Sequence, residues 1–142
     1  MELNYKSYSH AVGINFWAFE WCPKYRYKMF RRPHYKNLCV IAIMEAAKRY
    51  GIQLHELNVQ IDHFHGVATL PRTMSIDKAE MLLKGFSAYL LFRLAPELRL
   101  RYPKGHFWSM GKFDTTVGFT DLERQLEYVR NQDIHHAMPV RR

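Results

Sequence analysis

The sequence predicts an α+β fold in which one antiparallel sheet lies under helices. Stretches of alternating apolar residues are separated by two segments in which apolar residues recur every three to four positions. The resulting order is strand, helix, strand or hairpin, helix, strand, helix. That interleaving is what a sheet needs to bury one face beneath its own crossover helices. At 142 residues the chain reads as one domain, 1–142, with a core of about 8–132 and a short basic C-terminal tail.

Residues 1–7 read as a loose arm. From Tyr8 to Trp21, one face carries Tyr8, His10, Val12, Ile14 and Phe16, and the other Ala11, Gly13, Asn15, Trp17 and Phe19. Bulky residues on both faces predict a long strand paired on both edges. Pro23 ends it or marks an edge. Lys24, Arg26 and Lys28 then alternate with Tyr25 and Tyr27, which puts three cations on one side if the segment is extended. Such a row serves equally as a rail for a DNA backbone or as a solvated strand end.

Pro33 suits the first turn of a helix. Leu38, Ile41, Met44, Ala47 and Tyr50 follow at helical spacing, with Gly51 placed for a left-handed cap, so a helix is expected over about 34–50. Leu54, Leu57, Val59 and Ile61 suggest a short strand or turn, in hairpin fashion, into the stretch from Val59 to Leu70. That stretch reads as a strand up to Pro71. On a strand His63 and His65 share a face and Phe64 takes the other. Their Cα atoms would lie about 7 Å apart, close enough for two imidazoles to converge on one divalent ion. With 8 histidines in the chain, the triplet can also arise by chance. Asp62 would face away from the histidines in a regular strand.

Ser75 is placed to cap a second helix, about 76–95, with Asp77 in its first turn. Ile76, Ala79, Leu83, Phe86, Leu90 and Leu94 form its apolar stripe, and Lys84 falls off it. Residues 96–105 form a basic connection. His106 to Val117 has strand character interrupted by Gly111, which predicts a bulged or bent strand. A last helix starts near Thr120 or Asp121 and runs to about Gln132, with Tyr128 and Gln132 on one side. The whole is a ferredoxin-like βαββαβ core with a C-terminal helix.

Composition narrows the partners. There are 21 Lys and Arg against 13 Asp and Glu, a net charge of +8, and 15% aromatic residues. Basic charge with abundant rings suits nucleic acid, single strands above all, where phosphates meet cations and unstacked bases meet rings. No apolar run is long enough for a bilayer and no signal-peptide pattern opens the chain, so no membrane association is expected. Cys22 and Cys39 form no CxxC pair, and a cytoplasmic setting is expected.

Five blocks then resemble one family in order and spacing. They are Trp21-Cys22-Pro23-Lys24-Tyr25-Arg26, Asp62-His63-Phe64-His65, Lys84-Gly85-Phe86-Ser87, Gly105-His106-Phe107-Trp108-Ser109 and Tyr128-Val129-Arg130-Asn131-Gln132. Together they resemble the single-tyrosine HUH transposases of small prokaryotic insertion sequences, from about Tyr8 to Gln132. The resemblance implies His63, His65 and Gln132 as ligands of Mg²⁺ or Mn²⁺. It implies Tyr128 as a nucleophile that cleaves single-stranded DNA and rejoins it through a 5′-phosphotyrosine. It also implies hairpins at element ends as the substrate, and a homodimer. Lys24, Arg26, Lys28, Lys84 and Lys112 are the DNA-contact candidates. The family often carries aliphatic residues where Phe64 and Gly66 stand, so the wall of this strand is expected to pack in its own way. Two other functions remain compatible with the residues. One is a domesticated hairpin-binding protein of the same fold. The other is a histidine-based phosphoesterase, although such folds usually use two histidine motifs, and His135-His136 lies in the polar tail.

Overall fold

The computed structural model describes residues 15–116 and, ahead of them, two short strands, β1 (Lys6–Tyr8) and β2 (Ala11–Gly13). The expected helix around Tyr128 and Gln132 lies outside the described residues. So does Val117, the expected end of the last strand.

The long strand expected from Tyr8 to Trp21 is divided. β1 and β2 pair with each other in a separate antiparallel hairpin, and the sheet strand β3 runs Phe16–Pro23. Asn15 stands just before β3. Its side-chain amide donates to the carbonyls of Pro71 at 2.9 Å and Met74 at 3.2 Å, and its Oδ1 accepts from the Trp17 indole at 2.8 Å. A side chain that satisfies backbone groups in a distant loop is better placed at a strand end than inside a ladder.

β3 is paired on both edges, as its two bulky faces predict. The main sheet has the order β4-β5-β3-β6, with β4 at Gln53–Val59, β5 at Phe64–Thr69 and β6 at Trp108–Thr116, and every neighbouring pair is antiparallel. Helix α1 (Pro33–Arg49) connects β3 to β4, and α2 (Ile76–Leu94) leads from β5 towards β6. This is the ferredoxin-like α+β arrangement.

The helix ends follow their local chemistry. Pro33 opens α1, where a missing N–H costs nothing. Gly51 lies just past the end of α1 at φ +69°, the left-handed region. The Ser75 hydroxyl accepts from the Lys78 amide at 3.1 Å and caps α2.

The core lies between the helices and one sheet face. Cys39, Ala42, Ile43 and Ala46 of α1 and Ala79, Leu83 and Leu91 of α2 are buried against Phe19, Trp21, Phe64 and Ala68 of the sheet. Among the described residues no helix is long and apolar enough to cross a membrane. Cys22 and Cys39 are both free thiols.

The stretch from Val59 to Leu70 is not one strand. Val59 ends β4, the chain turns through residues 60–63, and β5 begins at Phe64. The Gln60 amide donates to the His63 carbonyl at 2.8 Å and closes the turn. β6 is bent, as Gly111 suggests. Between Trp21↔Lys112 and Pro23↔Trp108 the register shifts, so that a two-residue step on β3 faces a four-residue step on β6.

Candidate functional site

The two histidines stand at the mouth of the β4–β5 hairpin. His65 is on β5, and His63 is the last residue of the turn before it. Their rings face one another with centroids 4.8 Å apart at 81°. Phe64 between them points the other way and is fully buried. It packs on Trp21 at 4.9 Å between ring centroids, and Trp21 on Trp108 at 5.3 Å. A half-buried strand thus keeps its aromatic core face and offers both imidazoles on the opposite side.

Asp62 sits in the turn and not in a regular strand, so it does not face away from the histidines. Its Oδ1 lies 2.9 Å from His63 Nδ1, and its Oδ2 lies 3.6 Å from the Arg26 guanidinium. A proton on Nδ1, held by this carboxylate, makes Nε2 the basic nitrogen of a neutral His63 ring. Partial burial pushes the Asp62 carboxyl up, but the His63 hydrogen bond and the Arg26 charge outweigh it and hold it below its ordinary value.

His65 has a carboxylate neighbour that strand periodicity alone does not reveal. Glu20 pairs with His65 across β3 and β5, and its Oε1 lies 3.3 Å from His65 Nε2. Residues directly opposite in an antiparallel pair share a face. Asn58 of β4 and Phe113 of β6 extend the same row, giving Asn58, His65, Glu20 and Phe113 across four strands. Phe113 is exposed. The one available sequence signal was Glu20 itself, a lone carboxylate in an otherwise apolar run from Phe16 to Cys22.

The extended cationic rail does not form. Lys24–Arg26 is a single 3₁₀ turn, with Tyr25 at φ 66° and Arg26 at φ 51°. Two left-handed residues in succession destroy the alternation that would align Lys24, Arg26 and Lys28. Instead Arg26 reaches Asp62, Lys24 Nζ lies 5.6 Å from the Tyr25 ring, and Lys28 leads into a second turn, Met29–Arg31. That segment is tied to the histidine turn by the Phe30 amide, which donates to the Ile61 carbonyl at 3.0 Å.

Lys84 and Lys112, the other two DNA-contact candidates, both have partners within the protein. Lys84 donates to the Ser109 carbonyl at 3.0 Å and lies 5.5 Å from the Trp21 ring, and burial pushes its ammonium pKa down. Lys112 donates to Asp77, to Glu80 at 2.7 Å and to Asp114 at 3.1 Å. These three carboxylates converge as a metal site's would, but the Lys112 ammonium already sits among them. Glu80 is buried and also accepts from the Trp21 indole at 2.8 Å. Burial, with the neighbouring Asp114, holds its carboxyl above the ordinary value.

The resemblance blocks meet beneath the site. Trp108 donates from its indole to the Ser87 hydroxyl at 2.9 Å, and Trp21, Phe64 and Trp108 share one aromatic cluster. Tyr128 and Gln132 lie outside the described residues.

Comparison with known proteins agrees with this fold. A family model described as "Transposase IS200 like" matches residues 17–132. The transposases for insertion sequence element IS200 of Salmonella typhimurium (strain LT2) and Salmonella typhi are each 27% identical over 128 residues, covering 89% of this chain and 82% of their own. A transposase candidate from Deinococcus radiodurans R1, solved by crystallography, superposes with a TM-score of 0.71 at 24% identity, over 89% of this chain and 97% of that one. A REP-associated tyrosine transposase bound to a REP hairpin superposes with a TM-score of 0.63 at 13% identity, over 92% and 74%. The two structures share the fold. The sequence match over residues 17–132 goes further, and by it the chain belongs to the IS200-like transposase family.

Proposed function

We propose that this transposase is a metal-dependent enzyme that nicks and rejoins single-stranded DNA through Tyr128. The observation that carries the reading is the imidazole pair of His63 and His65, flanked by the carboxylates of Asp62 and Glu20. Nitrogen and oxygen donors in that mixture suit Mn²⁺ and accept Mg²⁺. His63, His65 and Gln132 would hold the ion, with Glu20 beside His65. When bound, the ion supplies positive charge against the scissile phosphate.

The chain's own residues do the rest. Asp62 orients His63 and keeps its tautomer. The Tyr128 phenol gives up its proton and its oxygen attacks phosphorus. The bond from phosphorus to the 3′ oxygen breaks, and that oxygen takes a proton to become a free 3′-OH. The product is a 5′-phosphotyrosine, so the phosphodiester energy is kept and neither ATP nor water is consumed. Attack by another 3′-OH reverses the step and joins strands. The substrate on this reading is a hairpin at each element end, bound by a homodimer.

The test is a denaturing protein gel after mixing the chain with end-labelled single-stranded DNA carrying candidate element ends, in Mn²⁺ or in EDTA. A labelled band at the protein's mass is expected only with metal, and is expected to vanish in Tyr128→Phe while DNA binding persists. Hairpin binding without any adduct would favour the domesticated binder. Cleaved product without an adduct would favour hydrolysis.

A further inference from the structure

A cavity of about 320 Å³ opens beside the turn that carries Arg26. Its walls come from three places: Tyr27, Lys28 and Met29 after β3, Arg32 and Tyr35 at the start of α1, and Glu97, Leu98, Leu100 and Arg101 after α2. Among the described residues, three cations therefore face one carboxylate. Among the described residues none of Lys28, Arg32 and Arg101 has a carboxylate within ion-pair distance. The carboxylate, Glu97, is already engaged, because the Tyr35 hydroxyl donates to it at 3.0 Å. Arg32 is also the N-cap residue of α1 and makes no side-chain cap, so the positive end of that helix adds to the same field.

Rings stand with the cations. Tyr27 and Tyr35 line the cavity, and Tyr27 packs against Tyr25 at 5.3 Å and Tyr102 at 5.5 Å between centroids. Tyr25 is exposed. Cations for a phosphate and rings for a base, around a space at the small end of ligand-pocket size, describe a single nucleotide. A base inside a duplex is stacked on both sides and cannot enter such a space without leaving the helix.

We propose that this cavity binds one unpaired nucleotide of the DNA strand, its phosphate towards Lys28, Arg32 and Arg101 and its base against Tyr27 or Tyr35. The inference rests on the DNA-processing reading above and gives it a substrate subsite. Position supports it. A single residue, Tyr27, separates Lys28 from Arg26, which pairs with Asp62, which in turn holds His63. A strand anchored here is tethered next to the histidine turn.

The test uses the full chain in EDTA, so that binding is read apart from cleavage. The probe is a fluorescein-labelled single strand of about 12 nucleotides, followed by anisotropy. Arg32 and Arg101 are exposed, so Arg32→Ala/Arg101→Ala is expected to fold normally. It is expected to weaken single-strand binding about tenfold and to lower the salt slope of log K by about 1.4, the value for two lost phosphate contacts. Binding of the matching duplex should change little. A second probe, the same strand substituted with iodouracil, should photo-crosslink to a peptide containing Tyr27 or Tyr35. An unchanged affinity and slope, or cross-links confined to other peptides, would overturn the proposal. If the strand binds through this cavity but no covalent adduct ever forms, the nicking reading fails and the subsite stands.

Discussion

Asp62 shows how much one side chain can carry. It lies between Arg26 and His63, and its Oδ1 is placed to accept a proton carried on His63 Nδ1. Replacing it with Asn keeps the size and removes the charge. Asp62→Asn is expected to weaken Mn²⁺ binding by about 10- to 100-fold, the usual effect of losing a carboxylate that orients a histidine ligand, as read by titration calorimetry. The same carboxyl makes a pH prediction. Its pKa in the folded chain lies below the unfolded value, so the stabilisation it contributes is fully present above the ordinary carboxylate range. That stabilisation is lost as pH falls through the lower folded value. Urea midpoints of wild type and Asp62→Asn, followed from about pH 6 to about pH 3, should therefore converge at the acid end. A gap that widens on acidification would contradict the assignment.

β5 is the element that reconciles a polar site with an apolar core. His65 is on one face, Phe64 and Gly66 on the other, and Gly66 leaves room for two rings. A Cβ at Gly66 would fall 2.8 Å from the Phe64 ring and 2.9 Å from the Phe19 ring. Both rings are buried and cannot swing away. Gly66→Ala is expected to cost about 1–3 kcal/mol, the range for overpacking a filled core, measured by denaturant unfolding. The expectation that this strand packs in its own way has its physical reason here: Phe19 and Phe64 fill the space that an aliphatic residue at position 66 would need.

For the whole molecule, the crossover topology brings β3, the turn after it and the β4–β5 hairpin to one end of the sheet. Residues 20, 26, 62, 63 and 65 meet there although all of α1 and β4 lie between residues 26 and 62 along the chain. A ligand that binds only the folded arrangement must stabilise the fold. Mn²⁺ at about a hundredfold excess over its Kd is expected to add about 2.7 kcal/mol and raise the unfolding temperature. EDTA should remove the rise, and His65→Ala should show none. An equal rise in His65→Ala would place the ion elsewhere.

Much of this was legible in the residues alone. Pro33, Gly51 and Ser75 mark helix ends because capping depends on a few neighbouring atoms. The apolar stripes of α1 and α2 and the two bulky faces of β3 are visible because burial imposes its period directly on the chain. The five motif blocks, read together, carry the family and with it the fold. The break at Asn15 was not visible, since the carbonyls its side chain meets lie in the 71–74 loop. The cations at Lys24, Arg26 and Lys28 looked aligned only because left-handed backbone at Tyr25 and Arg26 has no signature in residues that are not glycine. The partners of Lys84 and Lys112 were not visible because the atoms that engage them come from β6 and α2. Glu20 and Asn58 stand beside His65 only through strand register, and Arg32 meets Arg101 only because α1 and the turn after α2 are neighbours in space. Periodicity and capping are local and are written in sequence. Cross-strand neighbours and cavity walls join residues far apart in the chain, and only the tertiary fold decides them.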